Sequence, residues 1–196
     1  MTVVLADALR FAELMLKFQE VIRKVSIPRR PMQNENDVEH SYQLAMMAWY
    51  INQAGNLGLD VALLLMYALT HDLHETIAGD FHVLDHAGRI GKAEREAAAL
   101  EQIAQEFPEF PQMIEIIQRY ESQSDEESKF VYALDKLMPM LIIYLEGGSS
   151  WREVNISMEE LFANKAEKTA RSSTIFALSN ELEVLLRARP QLFPRP

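Results

Sequence analysis

Val61-Ala62-Leu63-Leu64-Leu65-Met66-Tyr67-Ala68-Leu69 carries no charged residue, and Thr70-His71-Asp72-Leu73-His74-Glu75 follows it at once. A run apolar on every side predicts a helix buried all round. The adjacent imidazole and carboxylate of His71 and Asp72 therefore arrive at the inner end of a core helix, where an unpaired charge is costly. A divalent cation is the simplest compensation, because neutral imidazole nitrogen and carboxylate oxygen are ligands that Zn, Mn, Fe and Co accept.

Two ligands do not hold a cation, and the sequence offers two more. His40, Leu44, Met47 and Ile51 stand at i, i+4, i+7 and i+11, so His40 lies on the apolar stripe of its helix, with Asn36 or Asp37 as N-cap. Asp135 shares a face with Val131 and Met138 in a helix whose Phe130, Leu134, Leu141 and Ile142 are nearly all core. Pro139, four residues later, deprives the Asp135 carbonyl of its usual donor and predicts a kink beside that carboxylate. Glu75 is three residues from Asp72 and four from His71, on their helical face, and so places another carboxylate next to the proposed cation.

The order His40, then His71-Asp72, then Asp135, each on its own helix, resembles the HD-domain metal-dependent phosphohydrolases. Within them the chain is similar to the branch of the bacterial 5′-deoxynucleotidase. The residues that carry the likeness are Glu35-Asn36-Asp37-Val38-Glu39-His40-Ser41, His71-Asp72-Leu73-His74-Glu75 with Gly79-Asp80, Tyr120-Glu121-Ser122-Gln123-Ser124, and Lys129-Phe130-Val131 with Leu134-Asp135-Lys136. They lie within residues 14–146. The resemblance implies a nucleoside 5′-monophosphate substrate, with Arg23 toward its phosphate and Asp80 toward its sugar, and a homodimer. It departs at Lys24, where the deoxynucleotidase has a Trp after its substrate-facing Arg, so selectivity for deoxyribose does not carry over. One divalent metal (Mn, Co, Mg, Zn, Fe or Ni) is expected on His40, His71, Asp72 and Asp135, since no further His-Asp-rich helix is present for a second.

The rest of the chain reads as helix and loop. Phe11, Leu14, Phe18, Val21, Ile22 and Val25 predict a first amphipathic helix that reaches Val25, with Arg23 near its end. Ile27 to Met32 is a loop, because Pro28 and Pro31 cannot continue a helix. Asp60 caps the apolar helix. Residues 92–106 and 111–120 are helical, and Ser124 to Glu127 and Ser157 to Glu160 are capping boxes. Trp151 to Ile156 is a connector. A helical extension over 157–187, with a break near Arg171-Ser172-Ser173, precedes a frayed tail over 188–196. His74, His82 and His86 have no evident partner and are expected at the surface or just outside the site. No strand shows convincing alternation. The expectation is one all-α domain over 1–196, an HD-domain helical bundle of about seven to nine helices.

With 196 residues, 48% of them hydrophobic, the chain can bury a core without a metal or disulfide staple. The absence of cysteine excludes disulfides and thiolate ligands, and together with the lack of a signal-like start or a spanning apolar run it fits a cytoplasmic protein. A net charge of −10 disfavours DNA or RNA, whose phosphates are bound by Lys and Arg. The expected reaction is metal-assisted hydrolysis of a small phosphomonoester, with Glu75 handling a proton. Two other readings stay open: a phosphatase for another small phosphate, and a non-catalytic metal-containing module that holds a nucleotide. A binding module has no need of Glu75.

Overall fold

The computed structural model describes residues 4–27, 30, 33–79 and 90–194. They form α1 (Leu5–Glu20), β1 (Ile22–Ser26), β2 (Asn34–Asn36), α2 (Asp37–Ala54), α3 (Val61–Thr70) and α4 (Glu75–Ala78). Then follow α5 (Lys92–Glu106), α6 (Pro111–Ser122), α7 (Glu126–Glu146), α8 (Ser149–Glu153), α9 (Met158–Thr169), α10 (Ser173–Arg187) and a 3-10 turn at Pro190–Leu192. The fold is all-α apart from the β1–β2 ribbon.

That ribbon corrects the expected first helix. The helix ends at Glu20, and Val21, Ile22 and Val25, which extend its apolar period, are β-branched and suit an extended backbone. β1 pairs antiparallel with β2, Ile22 facing Asn36 and Ser26 facing Asn34. The Asp37 N–H donates to the Val21 carbonyl at 3.1 Å. Arg23 therefore projects from β1, and its partner strand β2 leads directly into α2, which carries His40. Asn36 is the N-cap of α2, accepting from the Glu39 N–H at 2.9 Å.

α7 is the central helix. Phe130, Val131, Leu134, Leu137, Met138 and Met140 are buried in one cluster with Leu44 and Ala48 of α2, Leu64, Tyr67 and Ala68 of α3, and Ile175, Leu182 and Leu186 of α10. The helix runs on through Pro139 to Glu146 and is capped by Asp125 rather than Ser124, with the Ser128 N–H donating to Asp125 at 2.7 Å. A second cluster joins Leu14 and Phe18 of α1 to Ile103, Phe107, Met113 and Ile117 around α5 and α6, and Leu73 belongs to it. His71 and Asp72 thus sit in the seam between two cores, one holding Tyr67 and Ala68 and the other Leu73.

α3 is not buried all round. It packs on α2, α6 and α7, which leave one side open, and Leu69 is 49% exposed. The chain after α10 is not frayed over its described part either. Leu192 and Phe193 are buried, and the Phe193 ring stacks on Trp151 at 4.9 Å. Gly148 makes this possible: at φ +77° it has no Cβ to collide with the Leu192 carbonyl. Trp151 itself lies on α8, where a connector is expected. Among the described residues no helix is long and apolar enough to cross a membrane.

Candidate metal centre and its cleft

Three helices deliver the side chains that the sequence singles out. His40 comes from the first turn of α2, Asp135 from the middle of α7, and His71-Asp72 from the turn that ends α3. His40 Nε2 lies 3.0 Å from Asp135 Oδ1, His71 Nε2 lies 2.9 Å from Asp72 Oδ2, and the same His71 nitrogen is 3.9 Å from Asp135 Oδ1. One ligand atom from each of His40, His71 and Asp72 falls within 4.8 Å of the others. Two ligands on one cation, each at about 2.0–2.2 Å, are separated by at most about 4.4 Å. The three spacings meet that limit.

His71 tests whether a cation fits. Its Nδ1 is 3.0 Å from the Ala68 carbonyl, so Nδ1–H donates there and Nε2 of the neutral ring presents a lone pair. That buried nitrogen makes no hydrogen bond of acceptable geometry, although two carboxylates stand beside it. Lone pairs facing one another need a positive centre between them, and a divalent cation supplies it. His40 has the complementary support: its Nδ1 is 3.5 Å from Glu35 Oε1, a carboxylate able to fix the tautomer that leaves Nε2 for the cation.

Arg23 stands next to this set. Its guanidinium lies 2.9 Å from Asp72, 3.1 Å from Asp37 and 3.2 Å from Glu35, the last two fully buried. Burial works against its charge, but Asp72, Asp135, Asp37 and Glu35 together hold it protonated. Burial would raise the Asp72 pKa, yet neighbouring positive charge, from His71 when its ring is protonated and from Arg23, keeps it far below the usual carboxylate range. Burial and Arg23 oppose a charge on His40, and its bonds to Asp135 and Glu35 outweigh them, so its pKa lies above the ordinary imidazole value.

Glu75 is buried and reaches the site by a different route from the expected one. α3 stops at Thr70, the Leu73 N–H returns to the Thr70 carbonyl at 3.0 Å, and the Glu75 N–H returns to Asp72 at 2.8 Å. Glu75 opens α4, and the tight turn, with about three residues per turn, preserves the spacing that a continuous helix would give. Ligand atoms of Glu75, Asp72 and Asp37 lie within 4.8 Å of one another. Asp80, His82 and His86 lie outside the described residues.

The sequence pattern of the HD domain family matches residues 15–175. The chain belongs to the HD domain family. Mouse 5′-deoxynucleotidase HDDC2 is 35% identical over 133 residues, covering 67% of this chain and 65% of the relative. The human protein of the same name is 35% identical over 130 residues, 65% of this chain and 62% of the relative. The chain thus spans somewhat under two thirds of the length of the curated relatives it matches. Among solved structures, a predicted metal-dependent phosphohydrolase from Magnetospirillum magnetotacticum superposes with a TM-score of 0.81 at 24% identity, over 97% of this chain and 96% of the other. A conserved hypothetical protein from Pyrococcus furiosus gives 0.63 at 24% identity, over 90% and 99%. Both show likeness of fold.

In this HD domain the metal-ligand candidates Asp72 and Asp135 open into a cleft of about 580 Å³, within the roughly 300–1,000 Å³ of small-molecule sites. On the α4–α5 side, Lys92 bridges Glu96 at 2.9 Å and Glu75 at 3.5 Å. His74 is buried there, not at the surface, with Nε2 3.4 Å from Glu96. Burial opposes its charge, but Glu96 and Asp72 raise its pKa. On the α7 side Lys136 Nζ lies 2.5 Å from Asp135 Oδ2 and over the Tyr132 ring. Farther along, Lys165 of α9 lines the wall, its pKa pushed down to about 8 by burial and by the Lys136 charge.

Sequence reasoning missed Glu35 and Asp37 as charge partners, although both lie in the motif that leads to His40. Their signal was two acids five and three residues before an inward His. Lys136 was likewise adjacent to a ligand candidate. Lys92, Glu96 and Lys165 carried no signal, because only the packing of α5 and α9 brings them to the cleft.

Proposed function

We propose that this HD domain is a metal-dependent phosphomonoester hydrolase whose substrates are nucleoside 5′-monophosphates, deoxy or ribo. The observation that carries the reading is the cluster of His40, His71 and Asp72, with Asp135 3.0 Å from His40 and 3.9 Å from His71 and the His71 Nε2 lone pair turned toward two carboxylates. Those four side chains would hold one divalent cation, of the set Mn, Co, Mg, Zn, Fe or Ni. Held by these residues, a cation would supply polarisation of a phosphoryl oxygen and acidification of a water.

The chain's own residues do the rest. The Ala68 carbonyl and Glu35 orient His71 and His40 through their Nδ1 atoms. Glu75, buried beside Asp72, takes a proton from the attacking water or returns one to the leaving alkoxide. Lys92 stands next to it, with Nζ 3.5 Å from Glu75 Oε1. Arg23 orients the phosphate from the cleft wall, and Asp80 faces the sugar, a role that rests on the family resemblance. The name 5′-deoxynucleotidase on the curated relatives supports the nucleotide class. Lys24 in place of an aromatic residue supports a site open to both sugars. A cleft that only held a nucleotide would have no use for the buried Glu75.

Cytoplasmic location and a homodimer complete the reading. The exposed Tyr42, Met46, Trp49 and Tyr50 on the outer face of α2 support self-association, and the charge of −10 speaks against nucleic acid. Phosphate release from a panel of nucleoside monophosphates and other small phosphomonoesters, each with Mn, Co, Mg and Zn, tests the function. Turnover confined to non-nucleotide phosphates would move the substrate class. No turnover with any metal would remove the reading.

A further inference from the structure

We propose that the wall of the cleft formed by α8 and α9 is a second anion subsite, built on Lys165 of α9 and Ser150 of α8. The preferred substrate is then a small phosphomonoester that bears a second anionic group. The inference rests on the reading above for where the scissile phosphate sits.

Charge is distributed unevenly along the cleft. Toward the metal end Arg23, Lys92 and Lys136 have acidic partners: Arg23 has Glu35, Asp37 and Asp72, Lys92 has Glu75 and Glu96, and Lys136 has Asp135. The wall that α8 and α9 contribute, each packed on α7, carries Ser150, Trp151, Ile156, Leu161 and Lys165, and no acid among the described residues lining it. Lys165 makes no ion pair with any described residue, and burial with the charges of Lys136, Lys168 and Arg23 outweighs the favourable charge of Asp135. An ammonium group partly removed from water among other cations is unfavourable unless an anion joins it.

Ser150 is the second, independent observation. It is 4% exposed, it lines the same cleft, and its hydroxyl has no hydrogen-bond partner among the described residues. Buried hydroxyls are nearly always bonded. The α8–α9 wall therefore offers an ammonium N–H and a hydroxyl O–H, both able to donate, against apolar surface from Trp151, Ile156 and Leu161. Ligand groups that only accept, phosphate or carboxylate, match that wall. A nucleobase edge, which also presents donors, would find only the Ser150 hydroxyl oxygen to receive them and nothing to use the Lys165 charge. Asp72, Asp135, Lys136 and Lys165 line the same cleft, so one molecule can place a phosphate by the metal-ligand candidates and a second anion at that wall.

The test compares adenosine 5′-monophosphate with adenosine 3′,5′-bisphosphate, which adds a phosphate, and with 6-phosphogluconate, which carries a carboxylate. Binding is measured by calorimetry on the full chain in EDTA, and kcat/KM on the metal-loaded protein. At least one of the two probes with a second anionic group is expected to bind about tenfold or more tightly than the monophosphate, as a charged hydrogen bond would give. Which probe gains identifies the second group. In Lys165→Met that preference should collapse, and in Ser150→Ala it should weaken, with circular dichroism unchanged. Equal binding of all three probes by the natural protein, or a preference that survives in both variants, overturns the subsite. Lys165-dependent binding without turnover of any probe supports the subsite and counts against the hydrolase. Turnover of the monophosphate with no gain from a second anion does the reverse.

Discussion

Replacing Lys165 by Met should stabilise the protein by an amount that depends on pH. The Lys165 pKa is pushed down from 10.5 to about 8 by burial and by Lys136, and a lysine so shifted on folding costs about 3 kcal/mol at pH 7. The side chain is partly exposed, so screening reduces this to roughly 1–3 kcal/mol. The unfolded chain binds the extra proton between pH 8 and 10.5, so stability rises with pH across that window. Below pH 8 the ammonium is charged in both states and the cost is complete; above 10.5 it is neutral in both and the cost is gone. Urea unfolding of both proteins at pH 7 and pH 10 measures the difference, and groups common to both cancel. The advantage of Lys165→Met should shrink by at least about 1 kcal/mol between the two pH values, leaving the constant part due to Met packing. An advantage equal at both values would refute the reasoning, since it would mean that no charge is held under strain at that wall. A site that keeps such a cost trades stability for binding.

Other expectations concern the metal centre. His71→Ala or Asp72→Ala should abolish metal retention and phosphatase activity while keeping the helix content, and global unfolding in circular dichroism would make the site structural instead. Glu75→Ala should still retain metal and bind a nucleoside monophosphate, yet lose about 10²- to 10⁴-fold in kcat; near-normal turnover would remove it from proton transfer. Glu35→Gln should weaken metal affinity about 10- to 100-fold through His40, read by competition with a chelator, and unchanged affinity would show that Glu35 serves only Arg23. Gly148→Ala should cost about 1–3 kcal/mol of stability, because a left-handed backbone and the Leu192 carbonyl both reject a Cβ; a neutral effect would mean that the tail is not seated there.

The sequence by itself determined those features that depend on neighbours three or four residues away. Helical periodicity turned His40 and Asp135 toward the core, Asp60 and Ser157 marked helix starts that the structure has, and the apolar run leading into His71-Asp72 announced a polar group at the edge of a core. His40 and Asp135 are buried, as their periods suggested. The same local logic failed where a β-branched stretch continued the helical period, so that Val21 to Val25 were assigned to α1 and Arg23 was placed on a helix. Whether such residues pair as a strand depends on Asn34 to Asn36, a segment that helical periodicity does not reach.

Only the tertiary structure decided what faces what. Arg23 meets Asp37 across 14 positions of sequence and Asp72 across 49, and no spacing rule connects residues that far apart. Three neighbours around α3 rather than four left Leu69 in the open, and the glycine at 148 let Leu192 and Phe193 pack on Trp151. The α8–α9 wall of the cleft is the clearest case. Ser150 and Lys165 read as ordinary surface residues in their own helices, and they become a pair of donors facing one cavity only because α8 and α9 fold against α7. Periodicity reports which side of a helix is apolar; the position of the partner helices, fixed by side-chain packing over the whole chain, sets which polar groups share a site.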